Sequence, residues 1–171
     1  MAGQQREISL RFLAEPTDVN FGGKVHGGTV MRWIDQAGYA AAVGWSGKYC
    51  VTAAVGGIRF MQPVLIGDLV SVTATLIRTG NSSLHVAVNV ISRNLQTSEE
   101  MLTTHCVIVF VAVDPDSGKP VAVPTWTPIT DQDCELAAYA LRIKELSSHV
   151  DFEAARHLPA KVVSDGATPA S

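Results

Sequence analysis

The sequence predicts an α+β fold: a curved antiparallel β-sheet wrapped around one long buried helix, with a further helix near the C-terminus. Three observations carry this prediction. One long apolar segment, from Gly27 to about Ser46, is continuous rather than alternating and opens on a glycine pair. Four runs of strand character follow it with no helix between them. A Gly-Asn pair at Gly80-Asn81 marks a hairpin between two of those runs.

The elements follow in order. Glu7 to Leu13 places Ile8, Leu10 and Phe12 at alternate positions and reads as a first strand, able to join the same sheet. In the Gly27–Ser46 segment, Val30, Met31, Trp33, Ile34, Ala37, Ala40, Ala41, Ala42 and Val43 cover nearly the whole circumference, so the helix is expected to be buried all round. The strand runs are Val51 to Gln62, Leu69 to Arg78, Leu84 to Arg93 and Leu102 to Val113. Pro63 to Asp68 and Asn94 to Glu100 supply the other turns, and Asp114-Pro115-Asp116-Ser117-Gly118 ends the last strand. Pro120, Pro124 and Pro128 then break up an extended segment. Thr130 or Asp131 can cap a second helix running to about Ser147, with a separate helical piece over Asp151 to His157. Residues 164–171 read as a disordered tail.

At 171 residues the chain suits one domain with a proper core. The net charge of −3 and the lack of a basic block argue against nucleic acid as a partner. The N-terminal stretch Met1 to Glu7 is polar and unlike a signal peptide, and no apolar run reaches membrane-spanning length. Cys50, Cys106 and Cys134 are scattered and odd in number, which fits neither a disulfide framework nor a metal spacing. A reducing cytoplasm is the simple reading.

The chemistry concentrates in residues 16–38. Asp35 lies inside an apolar helix, and a buried carboxylate must be paired, shifted in pKa or set in a wet pocket. One reading pairs it with Arg32, three residues earlier; another makes it a catalytic base; the two are compatible. Gly27 and Gly28 sit where helix amides lack internal partners, so they form either a flexible helix entry or a cradle for an oxyanion. Asn20 can hold water or a carbonyl, or simply order its turn, and His26 can donate to a ligand or order the loop. Asp35 lies about 10 Å along the helix from Gly28, too far for both to touch one carbonyl from the same helix. A symmetric dimer with antiparallel helices would bring Asp35 of one chain to Gly28 of the other. Cys106 follows His105 in a strand, so the two face opposite ways and form no nucleophile–base pair. The Gly-x-Ser-x-Gly elbow of a serine nucleophile does not occur, leaving water activated by a carboxylate.

The run Asn20-x5-His26-Gly27-Gly28, with Met31 and Asp35-x-Ala37, resembles hotdog-fold acyl-CoA thioesterases of the bacterial short-chain and brain types. Val51-Thr52-Ala53, Phe60-Met61-Gln62-Pro63-Val64, Gly67-Asp68, Gly80-Asn81-Ser82-Ser83, Phe110-Val111-Ala112-Val113-Asp114 and Gly118-Lys119-Pro120 continue the resemblance in order, over roughly residues 8–125.

The resemblance implies a hotdog thioesterase domain over residues 1–125; the C-terminal helical extension over residues 126–163 lies outside the resemblance and is expected to shape assembly. The resemblance also implies hydrolysis of acyl-CoA, with Asp35 as base or nucleophile, Asn20 as the loop amide, and Gly27 and Gly28 as the helix-start amides. Ser82 and Ser83 fall near bound coenzyme A, and His26 and Arg59 join them as substrate-binding candidates. Coenzyme A enters as part of the substrate; no separate cofactor and no metal are expected. The implied assembly is a dimer of hotdogs with composite sites, often a trimer of dimers. Many relatives carry an acidic or polar residue where this chain has Gly56 or Gly57. Two other readings share the fold. A hydratase would pair Asp and His closely, whereas Asp18 and His26 lie eight positions apart. A non-catalytic acyl-CoA sensor would not need Asn20 and Asp35 together.

Overall fold

The computed structural model describes residues 2–158. The predicted 164–171 tail lies outside them. Strand β1 (Glu7–Leu13) leads through a short 3-10 turn to helix α1 (Gly27–Ser46). Strands β2 (Cys50–Phe60), β3 (Leu69–Thr79), β4 (Ser83–Arg93) and β5 (Glu100–Ala112) follow, then helix α2 (Asp131–Ala155). The strands form one antiparallel sheet in the order β1-β3-β4-β5-β2. The β3–β4 hairpin closes with Gly80 N–H donating to Ser83 C=O at 2.8 Å.

Strand alternation sends Val70, Val72, Ala74, Leu84, Val86, Val88, Ile108 and Phe110 to the inner face. There they meet Trp33, Ile34, Ala37, Ala41 and Ala42 of α1. Small residues let the helix approach closely: a Cβ on Gly38 would stand 2.8 Å from Phe110 Cε2. At the β1 edge, Phe12 stacks on Trp33 with ring centroids 5.1 Å apart. On the outer face, Ile77, Ala87 and Val107 pack under Leu136, Tyr139, Ala140 and Ile143 of α2. Coverage on both faces explains why β4 reads as a nearly continuous apolar run.

Two expectations change. Helix α1 is not buried all round, because the sheet covers only one side of it. Gly28, Met31, Arg32, Asp35 and Tyr39 form an exposed stripe at helical spacing. Helix α2 is one continuous element to Ala155 rather than two pieces. The segment Ser147-Ser148-His149-Val150 holds no glycine or proline to stop it, and Ser148 Oγ bonds back to Lys144 C=O at 3.0 Å.

The start of α2 is tied down twice. Thr130 caps it in a reciprocal box with Asp133. Asp133 also pairs with Arg6 at 2.7 Å, and the Arg6 guanidinium lies 4.6 Å from the centre of the Trp126 ring.

Candidate active site

Helix α1 begins at His26, which stands at the N-cap without a side-chain cap bond. The first intrahelical bond runs from Val30 N–H to His26 C=O, so the amides of Gly27, Gly28 and Thr29 precede it. The two glycines open towards different clefts. Gly27 lines a cleft of about 320 Å³ with Asn20, Val30, Phe60 and Thr104. Gly28 lines one of about 380 Å³ with Asp35, Thr52 and the apolar side chains of Met31, Ile34, Val55 and Ile108.

Asp35 is exposed in the single chain, which corrects the expectation of a buried carboxylate. It sits on the α1 stripe that the sheet leaves bare. Its partner is not Arg32, whose guanidinium reaches back 3.8 Å to Asp18. Instead Thr52 Oγ1, on β2, donates to Asp35 Oδ1 across 2.6 Å. Thr52 is the residue that sequence reasoning missed as a functional group. Its only signal was its place in the Val51-Thr52-Ala53 motif, because the register that turns it towards α1 is not readable locally.

Asn20 plays the turn role and faces the cleft as well. Its Oδ1 accepts from Gly22 N–H at 2.8 Å and Lys24 N–H at 3.4 Å. Its Nδ2 makes no hydrogen bond among the described residues, leaving a donor at the Gly27 cleft. His26 is exposed and lines neither cleft. Arg59 is set opposite His105 in the β2–β5 register, and His105 bonds Tyr139 of α2, so Arg59 belongs to the outer face. Ser82 and Ser83 lie at the β3–β4 hairpin and line a separate cavity of about 540 Å³ under α2. None of these four shares a cleft with Asp35.

The cysteines are poor nucleophiles here. Burial pushes the Cys106 thiol up to about 12, and burial also raises Cys50 despite a hydrogen bond from Ser46. Cys106 lies in the inner core while His105 faces α2, as strand alternation predicts. Among the described residues no His, Cys, Asp or Glu cluster forms a metal site, and no helix is long and apolar enough to cross a membrane.

Comparison with known proteins decides the family. The thioesterase superfamily model matches residues 22–99, which span α1 and β2–β4. The chain is 33% identical over 123 residues to the acyl-CoA thioester hydrolase YciA of Salmonella typhimurium, covering 70% of this chain and 92% of that protein. The chain belongs to the hotdog-fold acyl-CoA thioesterases. Among solved structures of this family, an apo-hexameric acyl-CoA thioesterase superposes with a TM-score of 0.82 at 31% identity, covering 88% of this chain and 96% of its own. The Staphylococcus aureus acyl-CoA hydrolase, solved with butyryl coenzyme A, coenzyme A and coenzyme A disulfide, gives 0.80 at 25% identity, covering 92% and 95%. The thioesterase fold is thus the five-stranded sheet around α1 described above.

Proposed function

We propose that this protein hydrolyses acyl-CoA to a free carboxylic acid and coenzyme A, with Asp35 as the working carboxylate. One observation carries the reading: Asp35, held by Thr52, shares an apolar cleft with Gly28 at the positive end of α1. Met31, Ile34, Val55 and Ile108 suit an acyl chain. Thr52 fixes one carboxylate oxygen, leaving the other to activate water or to attack the carbonyl. Helix-start amides at Gly27 and Gly28 polarise the thioester oxygen. The Asn20 side-chain N–H2 orients the reacting group.

The site completes itself in a dimer. β2 is an edge strand with exposed Val51, Val55 and Phe60, and the bare stripe of α1 is apolar at Met31 and Tyr39. A long apolar edge calls for a partner strand. Antiparallel pairing of two β2 edges sets the Asp35 cleft of one chain against the Asn20 and Gly27 cleft of the other. The composite arrangement thus differs from the expected one in setting Asp35 against the partner's Asn20 and Gly27 rather than its Gly28, with three such dimers forming a hexamer like that of the solved relatives. A cytoplasmic location fits the free cysteines.

The test is release of free coenzyme A from acyl-CoAs of increasing chain length, with the native protein and Asp35→Asn side by side. Release that vanishes in the variant supports the reading. A folded protein that binds coenzyme A yet releases none from any acyl-CoA overturns it, and points to the sensor or hydratase alternatives. Full turnover by a strict monomer would overturn the composite site.

A further inference from the structure

The Gly27 cleft holds one polar side chain that the proposed reaction leaves unused. Thr104 of β5 lines this cleft and is wholly buried. Its Oγ1 has no hydrogen-bond partner among the described residues. Thr103, beside it and just as buried, donates to Val90 C=O at 3.0 Å. Thr52 is committed to Asp35. An unpaired buried hydroxyl opposes folding in a way that a valine of the same shape would not.

The fold sets Thr104 beside the start of α1. It stands opposite Phe60 in the β2–β5 register, so the two side chains share a face of the sheet. The Phe60 ring comes within 3.7 Å of where a Cβ on Gly27 would stand. Thr104, Phe60 and the first glycine of the helix are therefore contiguous.

The other polar groups of this cleft mostly donate. The Gly27 amide precedes the first intrahelical bond. Asn20 Oδ1 already accepts two bonds, which leaves its N–H2, and Lys24 carries an ammonium. Gln62 is exposed. Nearby carbonyls are engaged: Thr103 C=O accepts from the Met61 and Gln62 amides, and Val64 C=O from the Val25 amide. Donors suit a thioester oxygen as its charge develops. A water about to attack has the opposite need. It gives one hydrogen to a base and holds the other in a bond, so it requires two acceptors. Thr104 Oγ1 has lone pairs to offer.

We propose that Thr104 Oγ1 is the second acceptor for the attacking water, with the partner's Asp35 as the first. The proposal rests on the acyl-CoA reading, with Asp35 as base and the clefts of two chains joined. The water passes one proton to Asp35 as its oxygen bonds the carbonyl carbon, and its other O–H donates to Thr104. The C–S bond then breaks, the leaving thiolate takes the proton from Asp35, and the acid keeps the remaining hydrogen.

Steady-state kinetics on one acyl-CoA and urea unfolding of the same proteins test the assignment, with Thr104→Val and Thr104→Ser beside the native protein. Thr104→Val keeps the shape and removes the acceptor. Its kcat is expected to fall about tenfold or more at unchanged KM, because the water bond matters only in the transition state. Its urea midpoint is expected to hold or rise, since folding forms no bond to this hydroxyl. Thr104→Ser keeps the hydroxyl and is expected to recover most of kcat. Unchanged kcat in Thr104→Val overturns the proposal. So does a kcat that Thr104→Ser leaves as low as Thr104→Val, which would assign the effect to the methyl group. A Thr104→Val chain that unfolds at lower urea or fails to fold marks a structural hydroxyl and overturns it too. Native protein that releases no coenzyme A from any acyl-CoA sinks the thioesterase reading and Thr104 with it, whereas equal turnover by native and Thr104→Val removes Thr104 alone.

Discussion

Thr52 Oγ1 and Asp35 Oδ1 stand 2.6 Å apart, joining the edge strand to the central helix. The bond fixes which way the carboxylate faces and commits one of its oxygens. Asp35→Asn keeps the shape and removes the negative charge, so on the proposed mechanism kcat should fall by about 10²–10⁴-fold with coenzyme A affinity little changed. Thr52→Ala should lower kcat about tenfold, and Thr52→Ser, which keeps the hydroxyl, should recover most of it. Steady-state kinetics on one acyl-CoA decides the point. Equal activity in Thr52→Ala and the native enzyme would remove Thr52 from the site.

Gly38 is a packing requirement of α1. An alanine Cβ there would meet Phe110 Cε2 at 2.8 Å and Cζ at 3.0 Å, both on a fully buried ring. Gly38→Ala should destabilise the protein by about 1–3 kcal/mol. A lower urea midpoint at unchanged slope is the expected observation.

Gly56 and Gly57 lie under α2. A Cβ on Gly56 would stand 2.6 Å from Ile143 Cγ2 and 3.2 Å from Ser147 Oγ, and Gly57 holds a positive φ of 64°. Gly56→Ala should push the second half of α2 off the sheet. Hydrogen exchange should then speed up in residues 140–155 and leave α1 protected.

Low pH should release the start of α2 before the core. Burial pushes the Asp133 carboxyl up, but hydrogen bonds from the Ile129 and Thr130 amides, from Arg6 and from the Thr130 hydroxyl outweigh it and hold it at about 2. A lowered folded-state pKa gives stability that is complete above the unfolded carboxylate value near 4. That stability is lost as pH falls from there towards 2. Arg6 lies over Trp126, so the indole fluorescence should change in that window. Asp133→Asn should abolish the change, and an unaltered transition in the variant would refute the assignment.

The element order was legible because each piece carries its own local signal. Ile8, Leu10 and Phe12 alternate, Gly80-Asn81 turns, and Thr130 caps. Gly27, Gly28, Asn20 and Asp35 were legible as a group, though not their division between two clefts. The exposure of Asp35 was not legible. An apolar helix face awaiting another chain has the same composition as one already covered by the sheet. The Arg32–Asp18 and Thr52–Asp35 pairings depend on how a loop and a distant strand fold back, which spacing along α1 cannot report.

The edge position of β2 also bears on how firmly the Asp35 carboxylate is held. β2 hydrogen-bonds only to β5 among the named strands, with Cys50 opposite Ala112 and Phe60 opposite Thr104. A strand anchored along one side opens more readily than one anchored along both. Whatever covers the free side of β2 therefore governs how long Thr52 and Asp35 stay together.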